Sequence, residues 1–134
     1  MVESGSDRRK AVIVEDNPLV ADDLAAHLGD LGYDVCGVTA SPVEAMQLLN
    51  QCAPDVVTLD INLGGASEGL AVAIVLRATA TFPIVFVTGS ASEGVASEIE
   101  GFEASALVRK PFTRDDLAAG IEQAMRRGSE SGLE

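Results

Sequence analysis

Ala11-Val12-Ile13-Val14-Glu15-Asp16-Asn17-Pro18 is the stretch on which the fold turns. Four consecutive apolar residues without polar alternation describe a strand buried on both faces, as in a parallel sheet. The run stops at two acids. Asn17 is a good helix N-cap and Pro18 suits the first helical position, so a helix follows at once. Leu24, Leu28 and Leu31 continue that helix at helical spacing, and Gly32 ends it.

The same strand-then-helix grammar repeats outward from this stretch. Asp34-Val35-Cys36-Gly37-Val38 is a second strand, and Ser41-Pro42-Val43-Glu44 is a capping box opening a second helix with Ala45, Leu48, Leu49 and Cys52 as its apolar stripe. Ala53-Pro54 breaks it. Asp55 to Asp60 is a third strand ending in an acid, followed by the Gly-rich loop Asn62 to Gly69. Leu70 to Leu76 reads as helical. Ile84-Val85-Phe86-Val87 is a fourth strand closed by Thr88-Gly89-Ser90, with a Glu-rich helix from Ser92 to Glu100 after it. Ala106-Leu107-Val108 is a fifth strand leading into Arg109-Lys110-Pro111-Phe112. Thr113 caps a last helix with Asp115 and Asp116 in its first turn and Arg126 and Arg127 at its far end, matching the helix dipole.

Five such units predict a single α/β domain over residues 10–127: a doubly wound, five-stranded parallel sheet with helices on both faces. Residues 1–9 and 128–134, polar and Gly/Ser-rich, are expected to be flexible. The chain has 134 residues, enough for one ordinary domain. Its apolar runs are strand-length, far from the roughly 20 residues of a membrane span. No secretory signal is expected, so the cytoplasm is the expected compartment. A formal net charge of −12 argues against nucleic acid as a partner. Cys36 and Cys52 form no recognisable pair motif and read as reduced, packed thiols. His27, the only histidine, reads as an ordinary helix residue.

In sheets of this kind ligands bind beyond the carboxyl ends of the strands. Strand one ends in Glu15-Asp16, strand three in Asp60, strand four in Thr88, and strand five runs into Lys110. Crowded carboxylates recruit a cation, and oxygen-only donors suit Mg²⁺. A carboxylate beside such a cation and a lysine can attack an activated phosphoryl group.

These residues resemble the signature of bacterial response-regulator receiver domains, which share the flavodoxin-like, CheY-like fold, over about residues 10–127. The resemblance implies that Asp60 accepts phosphate. It implies that Glu15, Asp16 and Asp60, with the backbone carbonyl of Asn62, bind Mg²⁺. It further implies that Thr88 and Lys110, with the amides of Ile61 and Gly89, hold the phosphoryl group. A histidine kinase or phosphotransfer protein would be the donor, and a downstream protein the target. Because the helical pattern ends near Arg127, output is expected through protein contact without an effector domain. The resemblance also allows a homodimer through the last helices. Pro83 to Ser90 partly matches the Pro-Phe-x-Phe-Ala-Thr-Gly motif of single-domain regulators in alphaproteobacterial stress signalling.

Two departures stand out. Leu107 occupies the place where relatives usually carry an aromatic switch residue, so rotation of a Tyr or Phe cannot be the output step. The loop after Asp60 lacks the common Pro. Two other functions compete. An Asp-nucleophile phosphohydrolase of the haloacid-dehalogenase type needs a second Asp two residues on, where this chain has Asn62, and a nucleophile on the first strand. A phosphorylation-independent binding module would not need the full acceptor set. The chain is therefore not expected to be an enzyme beyond its own phosphorylation and dephosphorylation.

Overall fold

The computed structural model describes residues 8–61, 82–89 and 104–131. Its elements run β1 (Arg9–Val14), α1 (Pro18–Asp30), β2 (Tyr33–Thr39), α2 (Pro42–Cys52), β3 (Val56–Leu59), β4 (Ile84–Thr88), β5 (Ser105–Arg109) and a C-terminal helix (Arg114–Ser131). The helices expected over 70–76 and 92–100, the 62–69 loop, and residues Asn62 and Ser90 lie outside the described residues.

All pairings are parallel, in the order β2-β1-β3-β4-β5. Alternation along the strands sorts two cores. Val12, Val14, Val57, Leu59, Ile84 and Phe86 face α2 through Ala45 and Leu49. Ala11, Ile13, Val85, Val87 and Val108 face α1 and the C-terminal helix through Leu24, Leu28 and Leu117. Apolar runs without alternation arise because both faces are covered.

The caps anchor the helix starts. Asn17 accepts from the Leu19 amide at 2.9 Å, and Ser41 accepts from the Glu44 amide at 3.2 Å. The second half of the expected capping box takes another route. Glu44 accepts from the Thr39 hydroxyl at 2.5 Å, and that hydroxyl oxygen accepts from the Ser41 amide at 3.0 Å. Thr39, buried at the end of β2, intercepts the carboxylate. Thr113 and Asp116 form a reciprocal box at the last helix, at 2.9 and 3.0 Å.

The described elements reach slightly past residues 10–127 at both ends. Arg9 already belongs to β1, and Arg8 hydrogen-bonds the carbonyls of Gly29 and Tyr33. The last helix passes the expected stop at Gly128 and runs to Ser131. Gly128 continues it because a Cβ there would lie 2.9 Å from the Cβ of Ala104, so the glycine permits close packing rather than a break. Arg127 consequently sits within the helix and donates to the Ser105 carbonyl at 2.9 Å.

Candidate functional site

The order 2-1-3-4-5 reverses direction between β1 and β3, so the crevice beyond their carboxyl ends is the switch point of the sheet. Backbone bonds carry the ladder past the strand ends and fix what stands there. The Glu15 amide donates to the Thr39 carbonyl at 2.9 Å, Asp60 to Val14 at 3.0 Å, and Lys110 to Thr88 at 2.8 Å. Each strand thus delivers its polar terminal residue to one rim.

Glu15, Asp16 and Asp60 each bring a carboxylate oxygen within 4.8 Å of the others. Glu15 and Asp60 are buried and Asp16 is exposed. The Lys110 ammonium reaches both, 3.3 Å from each Glu15 oxygen and 3.6 Å from Asp60 Oδ2. Lys110 follows β5, and the Lys110–Pro111 peptide is cis. Thr88 is fully buried at the end of β4, on the strand between those that carry Asp60 and Lys110. Glu15, Asp16, Asp60 and Lys110 thus come together at one rim, Thr88 ends the strand between those carrying Asp60 and Lys110, and Asn62 lies outside the described residues.

Among the described residues, three carboxylates gather at this rim and the Lys110 ammonium pairs with two of them. Burial pushes the Glu15 carboxyl above the usual 4.5, and the charge of Asp60 adds to that. The Asn17 amide, donating to Glu15 Oε2 at 3.2 Å, and Lys110 act the other way. Among the described residues, buried Glu15 Oε1 accepts no hydrogen bond, although Lys110 lies close enough for ion pairing. An anionic oxygen left without a hydrogen bond in a buried place is costly. Hard oxygen donors with one orphaned oxygen fit a divalent cation such as Mg²⁺, which accepts few protein ligands and keeps several waters.

Sequence reasoning missed one contributor. Asn17 read only as a helix cap, yet its backbone amide also holds Glu15. Its adjacency to Glu15-Asp16 was the available signal. His27 behaves as expected. It is half-buried, stacks edge-on with Phe112 at 5.9 Å, and lies 3.5 Å from Asp23. Leu107 pairs in register with Phe86 and packs against the α2-side core.

Comparison with known proteins agrees with this geometry. The family model of the response regulator receiver domain matches residues 11–122. The chain belongs to that family, and is a receiver domain of two-component response regulators. It is 33% identical over 115 residues to the phyllosphere-induced regulator PhyR of Methylorubrum extorquens, covering 85% of this chain and 42% of that protein. It is 30% identical to the transcriptional regulatory protein PdtaR of Mycobacterium tuberculosis, covering 89% of this chain and 58% of the relative. The signal receiver domain of a modulated diguanylate cyclase from Desulfovibrio desulfuricans G20 superposes with a TM-score of 0.78 at 34% identity, over 93% of this chain and 99% of that one. The chain spans about half the length of the curated relatives it matches. Receiver domains in general are signalling modules that typically bind Mg²⁺ rather than enzymes. Among the described residues no helix is long and apolar enough to cross a membrane.

Proposed function

We propose that this receiver is a phosphoacceptor switch in which Asp60 takes a phosphoryl group from a histidine kinase or phosphotransfer protein. The observation that carries the proposal is the buried, hydrogen-bond-deficient carboxylate of Glu15 set between Asp60, Asp16 and Lys110. Glu15 and Asp16, with Asp60 and the Asn62 carbonyl, would hold Mg²⁺, which supplies positive charge against the transferring oxygens. Asp60 attacks phosphorus through one carboxylate oxygen. The bond from phosphorus to the donor nitrogen breaks, that nitrogen keeps the electron pair, and an acyl phosphate forms on Asp60. Lys110 neutralises one equatorial oxygen. The buried Thr88 hydroxyl, one strand away, binds another, with the amides of Ile61 and Gly89.

The signal then leaves through contact with a downstream protein in the cytoplasm. A net charge of −12 favours a basic or apolar protein surface over nucleic acid. Leu107, packed with Phe86, leaves no aromatic ring to report the state of Thr88. Output then relies on movement of the backbone around Thr88 and Lys110. A homodimer through the last helix is one form that output can take.

The test is incubation with Mg²⁺ and a small acyl-phosphate donor, read by intact mass. One phosphoryl addition is expected in the parent, and none in Asp60→Asn or after chelation of the cation. No addition in the parent, or equal addition in Asp60→Asn, overturns the proposal. Equal binding of the downstream partner by both proteins would favour the phosphorylation-independent reading.

A further inference from the structure

Cys36 and Cys52 are 16 residues apart and share no pair motif, yet the fold sets them side by side. Ala11 pairs with Val35 and Val12 with Gly37, so Cys36 is the extra residue of a bulge on the edge strand β2. Cys36 is exposed, contrary to the packed thiol expected, because the bulge lies at a sheet edge that no further strand covers. Its thiol donates to the Ala11 carbonyl at 3.5 Å. Cys52 is the last residue of α2, half-buried, and its thiol donates to the carbonyl of Cys36 itself at 3.7 Å. Gly37 explains the close approach. A Cβ there would stand 2.6 Å from Leu48 Cδ2, so its absence lets α2 settle onto β2.

We propose that Cys36 and Cys52 are a modification site that closes to a reversible disulfide by exchange with a low-molecular-weight disulfide. The exposed Cys36 thiol loses its proton to solvent and attacks one sulfur of the reagent. The reagent S–S bond breaks, a mixed disulfide forms on Cys36, and one reagent thiol departs with a proton. Cys52 then loses its proton and attacks the Cys36 sulfur, expelling the second reagent thiol. The chain gives up two hydrogens and two electrons, and the reagent gains them. Closure ties the edge strand to the end of α2, away from the acid rim. Partial burial of the sulfur, and then the neighbouring Cys52 thiol, push Cys36 up to about 11. Attack by Cys36 is therefore slow at neutral pH, since the thiolate is the nucleophile.

The test treats the full chain with oxidised glutathione across pH 7 to 9 and follows intact mass and a non-reducing peptide map. The expected product has lost two hydrogens, links Cys36 to Cys52 within one chain, and reverts with a dithiol reductant. Its rate of formation should rise roughly tenfold per pH unit while the attacking thiol is mostly protonated. Cys36→Ser and Cys52→Ser, both conservative, should stop at a glutathione adduct or not react. A stable adduct in the parent, a disulfide between two chains, or two unreactive thiols in the folded protein would each overturn the proposal. A rate independent of pH would overturn the role of Cys36 as attacking thiol.

Discussion

The two rims of the sheet handle charge differently. At the amino-terminal rim the acids Asp34 and Asp55 each meet a partner. Arg8 lies 2.8 Å from Asp34 and donates to the Gly29 carbonyl at the end of α1 and to the Tyr33 carbonyl. Asp55 accepts from the Lys10 amide at 2.8 Å while its own amide donates to the Lys10 carbonyl at 2.8 Å. These contacts are largely exposed, so imperfect pairing there costs little. At the carboxyl-terminal rim three acids gather, the two buried ones sharing Lys110. One rim closes the fold. The other holds an unsettled charge that a ligand can settle, which is how binding sites differ from structural polar networks.

The largest expected effect follows from that imbalance. A cation at about a hundred times its dissociation constant stabilises the native state by about 2.7 kcal/mol. For a domain of this size that corresponds to a Tm rise of roughly 10 °C. Thermal unfolding of the parent with Mg²⁺ and with a chelator should show it. Asp16→Asn removes an exposed ligand without disturbing the core, and should lose most of the rise. Asp55→Asn, on the opposite rim, should keep it. An equal rise in the parent and in Asp16→Asn would break the contrast between the rims.

A second, smaller effect is a pH dependence in chelator. Glu15 is raised in the folded state, so the native protein binds its proton more tightly than the unfolded chain does. The resulting stabilisation is complete below the ordinary value of 4.5 and is lost as pH rises through the folded value. Urea melts from neutral pH downward should therefore show this contribution growing toward the acid side. The difference between parent and Glu15→Gln isolates it from the other carboxylates. A parent-minus-variant difference that stays constant with pH would remove the strain from this rim.

Most of the architecture was legible because its determinants are local. Ala11 to Val14 and Ile84 to Val87 announce strands covered on both sides, and Asn17-Pro18 and Ser41-Pro42 announce helix starts. The site was legible for a related reason: strand ends carry their residues to a common rim, so order alone brings Glu15, Asp60 and Lys110 together. What escaped depends on side-chain contacts that the sequence pattern does not announce. Gly128 looks like a stop until Ala104 is seen against it. Glu44 looks committed to Ser41 until Thr39 intervenes. The two cysteines meet only because of the bulge and of Gly37. Thr58, fully buried in β3 with a hydroxyl that finds no hydrogen bond among the described residues, has no sequence signal at all.

The smallest effect belongs to the satisfied rim. Arg8 and Asp34 leave 42% and 49% of their side chains exposed, so their ion pair is screened by water and salt. The two carbonyl contacts add a tie between β1, the end of α1 and the start of β2. Arg8→Ala should cost about 0.2–1 kcal/mol, the usual range for an exposed pair, and most of that loss should vanish in 1 M salt. It should leave the Mg²⁺-dependent rise in Tm unchanged, because the change lies at the opposite end of the strands. Chemical denaturation at low and high ionic strength measures the first expectation, and the melt with and without cation measures the second. A loss well above 1 kcal/mol that survives high salt would mean that the carbonyl contacts, rather than the ion pair, hold this rim. A changed cation response would mean that the two rims are coupled through β1.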